Sequence, residues 1–193
     1  MRIHATLRRE TADEHQRIES RLDLLNPALS VGEYRSVLRK FYGFYAPLER
    51  RLQGAAPTAE IGFAVPSRAA LLARDLAALG EPTRTIAAAP HCSELPAVES
   101  AAQIAGCVYV TEGATLGGRV IARALARSLG LSRDHGAGFF VGADAATGAA
   151  WKRTLAWLDD IVRAGAEPDA VVASARATFR AFHDWLAMPE QTR

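Results

Sequence analysis

One histidine and a run of glycines are the residues in this sequence whose types and spacing could perform chemistry. His15 lies on an apolar stripe of a predicted helix, and imidazole is a common metal ligand in proteins. Glu19 follows four residues later, one helical turn away, where its carboxylate can reach the imidazole N–H and orient the ring. The alternative interpretation is a core histidine with a solvated glutamate beside it.

The second candidate is a glycine-rich face within a long predicted helix, where residues 106–118 read GCVYVTEGATLGG. Gly106, Gly113 and Gly117 fall on one face of that helix, with Tyr109 beside them. Each glycine inside a helix costs about 1 kcal/mol relative to alanine, so we expect a compensating role. Such a face would admit a flat ligand. The alternatives are a close contact between two helices, or a kink.

Helical periodicity dominates the chain, and strand-like alternation does not extend beyond four residues. Ser30 and Glu33 form a predicted capping box, and Pro168 suits the first turn of the last helix. We therefore expect an all-α fold, with a single multi-helix domain over residues 1–193. The predicted helices span about 3–23, 30–52, 67–79, 97–129, 145–164 and 168–188.

Composition and charge exclude several classes of function. The net charge of +2 is far from the clustered basic surface of a nucleic-acid-binding protein. Apolar residues make up 49% of the chain, enough to form a core without stabilising disulfides or metal ions. Two cysteines, Cys92 and Cys107, do not make a disulfide framework in a chain of this length. No stretch approaches the ~18 apolar residues of a membrane span, and the charged N-terminus is not a secretory signal. We expect a cytoplasmic protein that binds neither nucleic acid nor membrane.

Two segments of the chain resemble signature helices of the heme oxygenase family. Residues 7–15, LRRETADEH, followed by Glu19, resemble the proximal helix of that family, and residues 109–118, YVTEGATLGG, resemble its distal helix. Their order and separation fit the family, as does the stretch from Phe139-Phe140 to Lys152. The resemblance covers nearly the full chain. It is strongest to the compact bacterial branch that is often paired with bacteriophytochromes.

This resemblance implies an enzyme that opens heme to biliverdin, carbon monoxide and ferrous iron, with O2 and electrons from a ferredoxin- or reductase-type donor. It implies that His15 ligates the iron, that Glu19 orients His15, and that oxygen binds against Gly113 and Gly117. A bacteriophytochrome is an expected recipient of the biliverdin. Further contacts with the heme are implied for Arg8, Thr11, Tyr109, Gly118 and Lys152.

One residue departs from part of the family, and other functions stay open. Animal-type enzymes have an aspartate after the first distal glycine, where this chain has Ala114, and the compact bacterial branch also lacks that carboxylate. A non-catalytic heme carrier or sensor would use the same pocket. A thiaminase-like enzyme of the same fold class would need an activated cysteine, for which Cys107 is a weak candidate. A diiron site is disfavoured because no Glu-x-x-His motif occurs.

Overall fold

The computed structural model describes residues 3–55, 62, 64, 66–142 and 147–189, except for the side chains of Thr115 and Thr147. Within these residues the regular structure is helical, and β-type pairing is limited to isolated bridges at Ser132. The all-α class predicted from the sequence is therefore confirmed. The helices are α1 (Ile3–Glu10), α2 (Ala12–Leu22), α3 (Val31–Gly54), α4 (Arg68–Ala78), α5 (Thr83–Ala87), α6 (Ala101–Leu129), α7 (Gly138–Val141), α8 (Thr147–Arg163) and α9 (Pro168–Ala187).

Helices α6 and α9 form the most extensive helix pair of the fold. Their backbones approach closely at Gly106, where a Cβ atom would lie 2.5 Å from Ser174 Cβ and 2.6 Å from the backbone nitrogen of Ala175. The Ser174 hydroxyl donates a hydrogen bond of 2.7 Å to the carbonyl oxygen of Gln103 across this contact. Any side chain at position 106 would push the two helices apart, so this approach requires glycine.

The α6–α9 pair supports the other helices. Helices α1 and α2 pack against α9, α8 packs against α6 and α1, and α7 contacts α6 and α4. Helix α3 packs against α4, and its Phe44 ring lies 4.7 Å from the Phe182 ring of α9. Among the described residues, no helix combines the length and apolar character needed to cross a membrane. Completely buried side chains in the core include Tyr34, Leu38, Leu48, Leu72, Leu76, Ile104, Leu125 and Leu158.

The first predicted helix is divided into α1 and α2 at Thr11, so the expectation of one regular helix over 3–23 was wrong. The Thr11 hydroxyl donates a hydrogen bond of 2.8 Å to the Leu7 carbonyl, and φ −113° with ψ 9° departs from helical values. Threonine bonded to the carbonyl four residues earlier bends helices. Backbone hydrogen bonds of 3.0 Å continue through the bend, from Thr11 to Leu7 and from His15 to Thr11.

The capping signals in the sequence locate two helix starts correctly. Ser30 caps α3 through the predicted capping box with Glu33, and α9 begins at Pro168. The predicted start at residue 97 was too early, because Ser100 and Gln103 form a second capping box at the start of α6. Helices α5 and α7 were not predicted, since elements of five and four residues carry almost no periodic signal.

Two predicted features lie mainly outside the described residues. Most of the loop expected over 53–66 falls there, although its first two residues belong to α3. The start of the helix expected at 145 also lies outside, and the described part of α8 begins at Thr147.

A nearly buried ion pair joins α4 to the glycine-rich helix α6. Arg68 donates from Nε and Nη2 to the two carboxylate oxygens of Glu112, at 3.2 and 2.8 Å. Glu49 of α3 accepts the backbone N–H groups of Arg68 and Ala69 at 2.7 and 3.0 Å, which satisfies the first turn of α4. Burial raises the pKa of Glu49 above its usual value, against these hydrogen bonds. Three helices are thereby fixed at one point.

We expect Arg68→Ala to lower the free energy of unfolding by about 3–5 kcal/mol, because the buried charge of Glu112 would lose the guanidinium of Arg68. Arg74→Ala is the matched control, since the Arg74–Asp134 ion pair is exposed and such pairs contribute at most about 1 kcal/mol. Urea denaturation followed by far-ultraviolet circular dichroism measures both losses. Losses of similar size would contradict a structural role for the Arg68–Glu112 pair.

Candidate active site

His15 is presented to solvent from α2. Its side chain is 54% exposed, and its Nδ1 lies 3.5 Å from Oε2 of Glu19, the residue one turn on. The ring meets Phe179 of α9 edge-on, with centroids 5.9 Å apart and an interplanar angle of 84°. His15 is therefore not a buried core histidine. With Nδ1 facing Glu19, Nε2 is the nitrogen that a metal can approach.

Glu14, the residue before His15, anchors α2 to α9. Arg176 donates from Nε to Glu14 Oε1 at 2.8 Å, and the glutamate is buried while the arginine is partly exposed. Burial alone raises the pKa of Glu14, but the hydrogen bond from Arg176, a backbone N–H and the charge of Arg176 outweigh it, so the pKa lies below the usual value. Glu14 was not predicted to have a role. The sequence feature that could have indicated one is a carboxylate next to His15, on the side of the helix that faces the core.

The Glu14–Arg176 pair predicts a dependence of stability on pH. Because the pKa of Glu14 is lower in the folded protein than in the unfolded chain, the pair stabilises the fold above about pH 4.5, and this stabilisation is lost as the pH falls through the folded pKa. Arg176→Gln should therefore destabilise the protein at neutral pH and much less in acid. Urea denaturation of both proteins between about pH 3 and pH 7 checks this. A difference that stays constant with pH would assign Arg176 a packing role alone.

The four glycines of α6 fall into two groups according to the space beside each. A Cβ atom on Gly106 would collide with α9, and one on Gly118 would collide with a backbone carbonyl of α7. A Cβ atom on Gly113 would make an ordinary contact of 3.6 Å with Cη2 of Trp151, and one on Gly117 would meet none of the described residues within 4 Å. Close packing therefore explains Gly106 and Gly118 but not Gly113 and Gly117. A heme contact at Gly118 stays a prediction.

The open side of Gly117 continues into uncovered apolar surface. Leu116 is 46% exposed and Val120 is 57% exposed, and both belong to α6. Grouped exposed apolar side chains mark binding surfaces more often than single ones do. Neither residue was predicted to belong to the site. The feature that could have indicated them is that both are apolar and lie close to Gly117 in sequence, one residue before it and three residues after it.

Three aromatic side chains meet at the other end of the glycine face. The rings of His4, Tyr109 and Trp151 lie with centroids between 5.8 and 6.4 Å apart. Burial raises the pKa of Tyr109, whereas its hydrogen bond with Thr11 and the nearby charge of Arg8 act in the opposite direction. The structure therefore brings Arg8, Thr11 and Tyr109 together at the bend between α1 and α2. Their contact with heme stays a prediction.

Two further residues from the sequence analysis have clear surroundings. Lys152 is exposed on α8, and its role toward heme stays a prediction. Cys107 is completely buried, accepts a hydrogen bond of 3.4 Å from Thr178, and has a thiol whose pKa is raised by burial. A nucleophilic cysteine needs the opposite shift, so the thiaminase-like alternative is not favoured. Within the described part of the chain, His, Cys, Asp and Glu form no group of three that could hold a metal ion.

Together these features define an all-α protein in which one helix offers a half-exposed histidine and another offers a side-chain-free face, both supported by α9. The model of the heme oxygenase family matches residues 1–188. A heme oxygenase from Xanthomonas campestris pv. campestris (strain 8004) is 36% identical over 156 residues, which cover 80% of this chain and 88% of that relative. The chain therefore belongs to the heme oxygenase family, and it is an oxidoreductase that degrades heme.

Two solved structures share the fold. The NO- and CO-bound heme oxygenase from Neisseria meningitidis superposes with a TM-score of 0.76 at 18% identity, over 100% of this chain and 96% of that one. The heme oxygenase from Leptospira interrogans gives 0.76 at 20% identity, over 97% and 99%. At these identities the likeness concerns the arrangement of the helices.

The two groups of glycines predict opposite effects of one substitution. Gly117→Ala should raise the free energy of unfolding by up to about 1 kcal/mol, because it improves helix propensity and its methyl group meets none of the described residues. Gly106→Ala should lower it by about 1–3 kcal/mol through overpacking against α9. Thermal denaturation of the heme-free proteins compares the two. Destabilisation by Gly117→Ala would show that the space beside this glycine is filled in solution.

Proposed function

We propose that the protein binds heme between His15 and the glycine face of α6 and opens it to biliverdin, carbon monoxide and ferrous iron. The observation that carries this proposal is that no described residue lies within 4 Å of a Cβ position on Gly117, while one on Gly113 would make only an ordinary contact with Trp151. Two glycines that weaken a helix, and that packing of the described residues does not require, are explained if a flat ligand must approach the backbone. The apolar surface of Leu116 and Val120 beside them suits a porphyrin.

The surroundings of His15 suit an iron ligand. Nε2 would bind the iron while Nδ1 faces Glu19, an arrangement that fixes the ring and strengthens imidazole as a ligand. The edge contact with Phe179 limits rotation of the ring, and the Glu14–Arg176 pair fixes α2 on its support. When bound, heme supplies both the iron at which O2 reacts and the ring that is oxidised.

The glycine face would keep side chains away from the oxygen site. Glu112, the acid next to Gly113, is held by Arg68 in the buried ion pair on another side of α6. Ala114 offers no carboxylate either. A distal imidazole acting as an acid would promote cleavage of the O–O bond, whereas a face of backbone alone favours attack on a meso carbon of the ring. The absence of side chains beside the oxygen site would thus direct the oxidation to the heme ring.

The ends of α1 and α8 would hold the two heme carboxylates. Arg8 and Lys152 are exposed cations, and Arg8 lies near the Tyr109–Thr11 pair. Contacts of this kind are screened by water, so they would orient the heme more than they would add to its affinity. Most of the affinity would come from apolar burial and the iron bond.

We further propose a ferredoxin- or reductase-type electron donor, a bacteriophytochrome as recipient of the biliverdin, and a cytoplasmic location. The support for these is the likeness of residues 7–15 and 109–118 to the helices of the compact bacterial branch.

The decisive experiment titrates hemin into wild-type protein, His15→Ala and His183→Ala. His183 is a matched control because its Nδ1 also faces a carboxylate, Asp184 Oδ1 at 3.1 Å. Wild type and His183→Ala should give a histidine-ligated Soret spectrum and form biliverdin with O2 and a reductant. His15→Ala should lose both, and added imidazole should restore the spectrum by filling the vacated space. Wild-type spectra and turnover in His15→Ala would disprove the assignment.

A further inference from the structure

The glycine face of α6 is open at one end and covered at the other. No described residue lies within 4 Å of a Cβ position on Gly117, whereas the corresponding position on Gly113 lies 3.6 Å from Cη2 and 3.9 Å from Cζ3 of Trp151. The two glycines are one turn apart on the same face. The far edge of a single indole therefore decides how much of this face a flat ligand can use.

The Trp151 ring is supported from two other helices. Its centroid lies 5.9 Å from that of Tyr109 on α6, and 5.8 Å from that of His4 on α1 at an interplanar angle of 80°. Tyr109 is itself largely buried. Edge-to-face and tilted pairs at these separations are attractive. The Trp151 indole therefore forms a fixed boundary of the glycine face, because moving it would break its contacts with Tyr109 and His4.

We propose that Trp151 is a specificity-determining residue, the wall that sets how far heme enters the glycine face and therefore which meso carbon is oxidised. This inference rests on the proposed function. With the iron bound to His15, the heme plane can still rotate about the iron–histidine bond and tilt within the gap. Its four meso positions lie at the same distance from the iron in different directions, so an asymmetric boundary of the pocket can select among them. Trp151 supplies that asymmetry, since it covers Gly113 and leaves Gly117 open.

The apolar surface at the open end agrees with this asymmetry. Leu116 and Val120 extend the face on the Gly117 side, where the ring of a porphyrin displaced from Trp151 would be covered by apolar groups. Loss of the indole would open the Gly113 end and allow the heme to move toward α8. The energy of an aromatic contact corresponds to a change of about two- to tenfold in the ratio of two seatings.

The test compares Trp151→Ala, Trp151→Phe and the control Trp157→Phe. Trp157 is six residues along α8, so it projects in a different direction from the same helix. Two measurements are made on each: chromatography of the biliverdin isomers, and proton NMR of the heme methyl groups in the ferric cyanide complex, which reports seating without turnover. We expect both to change in Trp151→Ala by about two- to tenfold in ratio, to change less in Trp151→Phe, and to stay at wild-type values in Trp157→Phe.

Each outcome bears on one proposal. An unchanged isomer ratio and unchanged methyl pattern in Trp151→Ala would overturn the role of Trp151, while biliverdin production would leave the proposed function intact. If the wild type bound heme without forming biliverdin, the proposed function would fail, and the methyl pattern would still test the wall. Should Trp151→Ala fail to fold, Trp151→Leu and Trp151→Phe replace the indole with smaller apolar groups and give the same comparison.

Discussion

The close approach of α6 and α9 at Gly106 is the contact on which the rest of the structure depends. The helix that carries the glycine face and the helix that supports His15 meet here, backbone against backbone, with the Ser174–Gln103 hydrogen bond across the contact. Interiors at this packing density transmit displacements, because there is no free volume to absorb them. A side chain at position 106 would therefore push α9 away from α6 and change the width of the proposed heme gap.

The two walls of the proposed gap are fixed by different forces. The glycine helix is held by close packing and by the buried Arg68–Glu112 pair, both of which resist a change of solvent conditions. The histidine helix is held by the Glu14–Arg176 pair, whose arginine is partly exposed. A pair of this kind is weaker and more sensitive to salt and pH. Of the two helices, α2 is therefore the one whose anchoring ion pair depends more on salt and pH.

The site is assembled from features that do not favour folding. Glycines without a packing role weaken α6, exposed leucine and valine gain nothing from burial, and a half-exposed histidine contributes little to the core. Such features persist when the remainder of the structure compensates for them and function requires them. Here the compensation comes from the aromatic and aliphatic core around α3 and α9, including Phe44 against Phe182.

The sequence alone determined the all-α class, the main helices and the pair of His15 with Glu19, because helical periodicity, capping residues and i, i+4 spacing are local properties. The sequence also showed that the glycines of α6 lower the stability of the helix, but it could not show which of them are required by close packing. Whether a Cβ atom at Gly106 or Gly117 meets a neighbour depends on helices distant in the chain, and only the tertiary structure shows a collision at one and open space at the other. The anchoring of Glu14 by Arg176, and the meeting of His4, Tyr109 and Trp151, were decided in the same way. Each joins residues far apart in sequence, and no local pattern encodes which of them will touch.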